Sequence, residues 1–354
     1  MKAKGVGGER PWIIPFFLPE LGCPRRCLFC NQRSLVGPEA QPPTAAAVQR
    51  LLDHWLALPR QVGRPVELAF YGGSFTGLPR SQQEELLGAV AAALAAGTVA
   101  AIRLSARPDQ VDGETARWLA GRGVAVVELG VQSLDPEVLA RSGRGYGPER
   151  VVTALGNLRR AGLRVGCHLM VGLPGENTGR LLASTRALAA LAPDFVRIHP
   201  ALVLADTGLA RQWERGEYRP LTLAQAIGRV ARLKRIFDQA RIPVLRMGLQ
   251  PSLSLEDALL AGPYHPAFGE LVYARLMFQQ LRRHLRGAVG AEAVRLAVNP
   301  RDLSQVRGPG RMNLHRLEAL GLAGRLSLVP DSCQPRHHLR RLDPDIPEPL
   351  MRPC

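Results

Sequence analysis

The sequence predicts an α/β fold, a partial (β/α)6 TIM-like barrel followed by a smaller C-terminal α+β accessory domain. Three observations predict it. Apolar runs of strand length alternate with amphipathic segments over residues 12–240, the pattern of βα units around a parallel sheet. Each unusual loop falls just after a predicted strand, on the side where α/β barrels carry their chemistry. Beyond Pro251 the rhythm changes to a long helix, a strand, a shorter helix and a Pro-rich end.

Taken in order, strands are expected at 12–18, 66–71, 101–105, 124–130, 164–171 and 195–199, each a short run rich in Val, Ile, Leu or Phe. Helices are expected between them at 44–58, 81–96, 113–121, 148–161 and 177–191, with another at 222–240. Ser81 and Glu84 have the spacing of a capping box, which would start the helix at 81. A further strand at 243–249 ends the first domain. Six βα units are two short of a full barrel, so an incomplete, open barrel follows. The domains are placed at 1–250 and 251–354, the second with a helix at 266–286, a strand at 293–298, a helix at 311–321 and a loosely ordered tail from Pro330.

Composition narrows the class. The 354 residues are 46% hydrophobic and 21% charged, an ordinary globular balance. Pro15 and Pro19 interrupt the only apolar run near the N-terminus, so neither a signal peptide nor a membrane span is expected. Six cysteines without regular pairing point to a reducing, cytoplasmic setting rather than a disulfide framework. A net charge of +16 favours polyanions such as nucleic acid, or acidic protein partners. The charge is almost all arginine, which a coding bias could also produce. Residues 251–354 hold 14 Arg against 10 Asp plus Glu, so the excess follows length and marks no basic tail.

The densest chemistry is Cys23-Pro-Arg-Arg-Cys27-Leu-Phe-Cys30, three thiols within eight residues after the first strand. Three thiolates can hold three corners of a 4Fe-4S cubane and leave the fourth iron open. A zinc site completed by Cys167 with His168, or by Cys333 with His337 or His338, is the alternative, although no second Cys pair repeats the spacing. After the second strand comes Gly72-Gly73-Ser74, where adjacent glycines let backbone approach a ligand; a plain βα turn would look the same. Ser105 and Arg107 follow the third strand, Arg107 being able to grip a carboxylate with two parallel bonds. The fourth ends in Gln132 and Ser133, and a satisfied buried glutamine is the plain reading there. The fifth ends in Gly172-Leu173-Pro174, a turn able to present main-chain groups to a base edge. Arg197 and His199 leave the sixth, where a lone His is more often structural.

In this order the motifs resemble those of the radical S-adenosylmethionine superfamily, and within it the Elongator catalytic-subunit family. The resemblance covers roughly residues 10–250 and extends to Glu128-Leu-Gly-Val-Gln-Ser-Leu-Asp135, Arg144-Gly145 and the run from Pro200 to Tyr218. It implies that Cys23, Cys27 and Cys30 ligate a 4Fe-4S cluster shielded by Phe29. It further implies that Gly72, Gly73 and Ser74 meet the methionine amino group, and that Ser105 and Gln132 contact the methionine and ribose part of S-adenosylmethionine. Gly172, Leu173 and Pro174 would line its adenine. The implied function is a radical enzyme acting on a tRNA wobble uridine, with an acidic electron donor such as flavodoxin or ferredoxin. His199 and Arg197 are the candidate catalytic residues, His199 for proton transfer or a substrate contact.

Departures from the pattern matter too. Eukaryotic Elongator members space the first two cysteines more widely, and the family often has His where Tyr146 stands. It commonly has Lys and Tyr where Arg197 and His199 stand. About 100 residues after Pro251 are too few for the acetyltransferase domain of that family, so a shortened relative is expected. Gln305-Val-Arg-Gly308-Pro-Gly310 fits an acetyl-CoA pattern, but a glycine turn at a helix start that could seat a phosphate is the preferred account. The Gln132 and Gly-Leu-Pro loops also resemble those of oxygen-independent coproporphyrinogen oxidases, which would imply a small carboxylate-bearing substrate. A non-catalytic metal-binding module is the third reading.

Overall fold

The computed structural model describes residues 11–32, 43–59, 64–286 and 293–342. They divide into two compact units, one of residues up to Thr222 with Leu233–Tyr264, the other of Leu223–Arg232 with the residues from His265 onward.

The first unit is built on seven parallel strands in unbroken order: β1 (Trp12–Leu18), β2 (Val66–Gly72), β3 (Ala101–Ala106), β4 (Val124–Gln132), β5 (Arg164–Val171), β6 (Phe195–Pro200) and, after a two-residue strand β7 (Val203–Leu204), β8 (Val244–Met247). These curl into a half-barrel, with β1 and β8 as its two unpaired rims. Strand alternation sorts the faces. Ile14, Phe16, Leu68, Phe70, Leu104, Val127, Leu129 and Ile198 are buried on one side. The opposite positions, Glu67, Tyr71, Arg103, Glu128, His168 and Arg197, share one hydrogen-bonded network on the concave side.

Crossover helices α1 (Ala45–Ala57), α2 (Arg80–Ala95), α3 (Gly113–Gly121), α4 (Pro136–Arg141), α5 (Pro148–Arg160) and α6 (Thr178–Ala190) join the strands. Their starts are set by side chains that accept the orphan amides of the first turn: Asp112 takes Thr115 N at 2.7 Å, Asp135 takes Val138 N at 3.0 Å and Asn177 takes Arg180 N at 2.9 Å. The expected capping box is not formed. Helix α2 begins at Arg80 behind Pro79, which puts Ser81 inside the first turn, and Glu84 reaches Arg122 at 3.6 Å instead. After α7 (Gly208–Glu214) and α8 (Leu223–Gln239), the short α9 (Leu253–Ala258) leads into β9 (Leu259–Ala261), which pairs antiparallel with β7. That pairing keeps the chain as far as Tyr264 with the first unit.

In the second unit β10 (Val294–Val298) lies between a parallel β11 (Leu326–Pro330) and an antiparallel β12 (Leu339–Arg341). Helices α10 (Phe268–Arg286), α11 (Leu303–Arg307) and α12 (Met312–Ala319) cover it. Met277, Phe278, Leu281 and Leu285, one face of α10, pack with Leu296, Val298, Val306 and Leu317. The expected loose tail from Pro330 carries a strand as far as Arg341; residues 343–354 lie outside the described residues. Beside the glycine turn before α12, Asn313 Nδ2 bonds Ala274 O, Gln305 O and Val306 O at 2.9, 3.1 and 3.2 Å.

Candidate active site

β1 and β2 run in register from Trp12 opposite Val66 to Leu18 opposite Gly72, so the cysteine loop and the Gly-Gly loop leave the sheet side by side. They then interlock. Gly73 N donates to Leu18 O at 2.7 Å, Ser74 N to Leu21 O at 2.8 Å, and Gln110 Nε2 to Gly22 O at 2.9 Å. A Cβ on Gly73 would stand 1.9 Å from Leu21 O, one on Gly22 2.0 Å from Ser74 O, and one on Gly77 1.8 Å from Gly22 O. These glycines are therefore required by the contact between the loops. Gly73→Ala is expected to cost about 1–3 kcal/mol by overpacking and to cut reconstituted iron by more than half while leaving the far-ultraviolet circular dichroism of the barrel unchanged.

The cysteine loop is tied down at its far end as well. Leu28 N bonds Ser142 O at 3.1 Å, Leu209 N bonds Leu28 O at 2.8 Å and Asn31 Nδ2 bonds Ala205 O at 2.7 Å. Leu28 and Phe29 pack against Val203, Leu209, Ala210 and Tyr218, and Phe29 also against Val138, Leu173 and Ala201. Cys27 is buried, and Cys23 and Cys30 are half-buried. Burial raises the Cys23 thiol; burial and then the neighbouring Cys27 and Cys23 push Cys30 up to about 12.

Two guanidinium groups converge on Cys27. Arg144 Nη1 lies 3.2 Å and Arg107 Nη1 3.6 Å from its Sγ, and both arginines are buried. Tyr146 lies between them, its ring centre 5.2 Å from the Arg107 guanidinium and 5.0 Å from that of Arg144. Arg144 also bonds Gly130 O and the Tyr146 hydroxyl. Arg107 does grip a carboxylate with two bonds, but the carboxylate is Asp109, at 3.0 and 2.9 Å. Ser74 is likewise turned inward: it is wholly buried and its Oγ accepts Arg107 N at 2.9 Å.

Among the described residues no three Cys, His, Asp or Glu side chains are placed to hold a single metal ion. A cubane attaches each thiolate to a different iron, so it needs its sulfurs further apart than one ion does. Three thiols in one anchored loop, beneath two fixed cations, suit an anionic iron-sulfur cluster. The zinc alternatives do not assemble. Cys167 is wholly buried and, as the neighbour of His168 on β5, points to the opposite face, while His168 is bound to Glu128. In the second unit, His337 bonds Gln305 and stacks on Tyr273 at 3.8 Å.

Below the loops, the concave side holds a charged network centred on Glu128, whose carboxylate is inaccessible to solvent. It accepts the Tyr71 hydroxyl at 2.9 Å and Arg103 Nη1 at 2.9 Å; Arg197 Nε is 2.9 Å and His168 Nε2 2.6 Å away. Burial alone would raise the Glu128 carboxyl, but the bond and charge of His168, then Arg197 and Arg103, hold it well below the usual carboxylate range. Glu67 accepts Arg103 Nε at 2.9 Å. His199 sits edge-on to His168, ring centres 5.5 Å apart, with Nδ1 3.1 Å from Gly248 O. A carbonyl only accepts, so Nδ1 carries the proton and Nε2 is left as an acceptor. Burial, then the charges of His168 and Arg197, lower His199 to about 3.

The remaining expected residues ring this network. Ser105 is half-buried at the end of β3. Gln132 ends β4 at φ 65, a left-handed conformation unusual outside glycine, where the pairing with β5 shifts register. At Gly172 the amide donates to Glu176 Oε1 at 2.8 Å and the carbonyl accepts the Tyr218 hydroxyl at 2.6 Å. Leu173 and Pro174 are buried behind it. From sequence, Glu128 and Arg144 were read only as parts of motifs and His168 only as an alternative zinc ligand. A charged residue inside each of three adjacent apolar strands, Glu67, Arg103 and Glu128, was the available signal.

Residues 19–187 match the family model described as the Radical SAM superfamily, and residues 193–277 the one described as the Radical_SAM C-terminal domain. A tRNA uridine(34) acetyltransferase of Methanocaldococcus infernus is 31% identical over 186 residues, 51% of this chain and 34% of that protein. One of Dehalococcoides mccartyi is 28% identical, covering 66% of this chain and 57% of its own length. The chain thus spans less than two thirds of the length of either of these relatives. The solved structure of archaeal M. infernus Elp3 with an N-terminal deletion superposes with a TM-score of 0.58 at 23% identity, over 76% of this chain and 63% of that one.

Proposed function

The chain belongs to the radical S-adenosylmethionine superfamily, and from that premise we infer that its half-barrel modifies the wobble uridine of tRNA. The observation that carries the reading is Cys27, held by an anchored loop at the strand ends beneath Arg107 and Arg144. Relatives named as tRNA uridine(34) acetyltransferases support the substrate.

The family's 4Fe-4S cluster and S-adenosylmethionine, when bound and reduced, supply a 5'-deoxyadenosyl radical that abstracts hydrogen. Cys23, Cys27 and Cys30 are the residues to hold the cluster. Arg107 and Arg144 stabilise negative charge on the Cys27 sulfur, and Asp109 and Tyr146 fix those arginines in place. Leu28 and Phe29, packed into apolar clusters, keep water from that side of the loop. At the substrate end, Glu128 and Tyr71 fix Arg197. His199, whose pKa burial lowers, offers Nε2 as an acceptor, which suits an imide N–H such as that of uracil. The charge of +16 suits both a polyanionic RNA and an acidic electron donor. No helix among the described residues is long and apolar enough to cross a membrane, and a cytoplasmic setting is part of the proposal.

The test is anaerobic reconstitution with iron and sulfide, a strong reductant and S-adenosylmethionine, with and without total tRNA. 5'-Deoxyadenosine whose yield rises with tRNA, together with a mass change in a tRNA uridine, is expected. If 5'-deoxyadenosine forms but no tRNA binds at low salt, the tRNA reading fails. His199→Ala is expected to keep 5'-deoxyadenosine within about twofold and to lower the tRNA product at least about 100-fold, the loss of an orienting contact.

A further inference from the structure

The second unit carries a charge pattern that the half-barrel does not use. On α10, Arg275, Gln279, Arg282 and Arg286 recur at four, seven and eleven residues and so share one face, with Arg283 beside them. Gln279, Arg282, Arg283 and Arg286 line an open groove. From α12, Arg316 joins Arg282 at the ring of Phe278, the two guanidinium carbons 5.7 and 5.8 Å from its centre.

No described acid of the unit forms an ion pair with this group. The described acids of the unit are Glu270, Asp302, Glu318 and Asp331. Glu270 bonds Gln305, Asp302 pairs with Arg336 and Asp331 with Arg340. Among the described residues no ion pair reaches Arg275, Arg282, Arg283, Arg286 or Arg316. Arg282 Nε and Gln279 Oε1 are buried without a hydrogen-bond partner. Burial and then Arg316, Arg282 and Arg232 depress Arg275, the sign of cations crowded together. Such crowding costs stability, and an isolated fold gains nothing from it.

We propose that the arginine face of α10, with Arg316 of α12, is a docking surface for the phosphate backbone of the RNA substrate. This rests on the tRNA reading above and gives the second unit its part in it. Eleven residues of helix rise about 16 Å, the axial rise of roughly five nucleotides on one strand. The guanidinium forks match phosphate oxygens, and Arg282 Nε has the donor such a contact needs.

The experiment uses the full chain and a fluorescent tRNA transcript, with affinity read by anisotropy from 50 to 300 mM salt. The triple variant Arg275→Gln, Arg282→Gln, Arg316→Gln is compared with the corresponding Lys variant. Arg215→Gln, which removes a cation paired with Glu217 elsewhere on the surface, is the control. The Gln variant is expected to bind on the order of 100-fold more weakly at ~150 mM salt, its log–log salt slope reduced by about 2 to 3. The Lys variant is expected to recover most of that loss. The Gln variant should also melt no lower than wild type, because it relieves repulsion, and should form tRNA-independent 5'-deoxyadenosine at the wild-type rate. Unchanged affinity and slope in the Gln variant would overturn the surface while leaving the tRNA reading intact. Loss of reduction by a flavodoxin with RNA affinity preserved would overturn it in favour of an acidic protein. Absence of tRNA binding by wild type would sink both.

Discussion

Cys27→Ala is expected to abolish cluster assembly and to bring 5'-deoxyadenosine to background, a loss of more than about 1,000-fold, since the radical chemistry belongs to the cofactor. The same change at Cys167 is expected to leave both untouched. The contrast follows from placement. Both thiols are buried, but Cys27 stands in the anchored loop with two cations on its sulfur, whereas Cys167 lies inside β5 and is pushed up to about 12 by burial. In the Cys27 variant Arg144 also loses its sulfur partner while remaining buried. Iron and sulfide content and visible absorption after anaerobic reconstitution measure the result. A Cys27 variant with full iron, or a wild type that takes up zinc in preference, would refute the assignment of the ligand set.

Glu128→Ala is expected to destabilise the half-barrel by about 3–5 kcal/mol, because it leaves the buried Arg103 and the half-buried Arg197 and His168 without their shared anion. For a unit of this size that is a fall in melting temperature of roughly 6–20 °C. Glu128→Gln keeps the shape and loses the charge, and should account for most of the fall. The pH dependence has a definite sign. The folded carboxyl titrates below its ordinary value of 4.5, so its contribution is whole above that pH and is lost as pH drops through the lowered folded value. The stability gap between wild type and Glu128→Gln should therefore narrow as pH falls below about 4.5. A gap that grew on acidification would show that Glu128 is not the ionised centre of the network.

Much of the half-barrel was legible in the chain because its strands are apolar runs bounded by Pro, Gly and polar turns. β1 is found at Trp12–Leu18 as expected, and β5 at Arg164–Val171. What escaped was non-local or short. β7 and β9 have two and three residues, and only their antiparallel pairing defines them. α4 follows Asp135-Pro136 in a stretch for which the sequence reading placed no helix. Ser81 and Glu84 had the spacing of a cap, but Pro79 lets the helix begin a residue earlier. At the site, the cysteines and the Gly-Gly turn could be found by spacing, whereas the partners of Arg107 and Gly172 depend on Asp109, Glu176 and Tyr218 meeting them in space. The arginine face of α10 was invisible to a charge count over 251–354, because that count mixes the helix with acids at 256 and 257 and beyond 342.

The two gaps between the cysteines differ in their freedom to change length. Pro24, Arg25 and Arg26 are exposed, so residues added there would bulge into solvent, in keeping with the wider first spacing of eukaryotic Elongator members. Leu28 and Phe29 are wedged into apolar clusters, and Leu28 is bonded through both its amide and its carbonyl. Divergence among such chains can therefore lengthen the stretch from 24 to 26 at little cost, while a single residue gained or lost between Cys27 and Cys30 would pull the third sulfur out of reach.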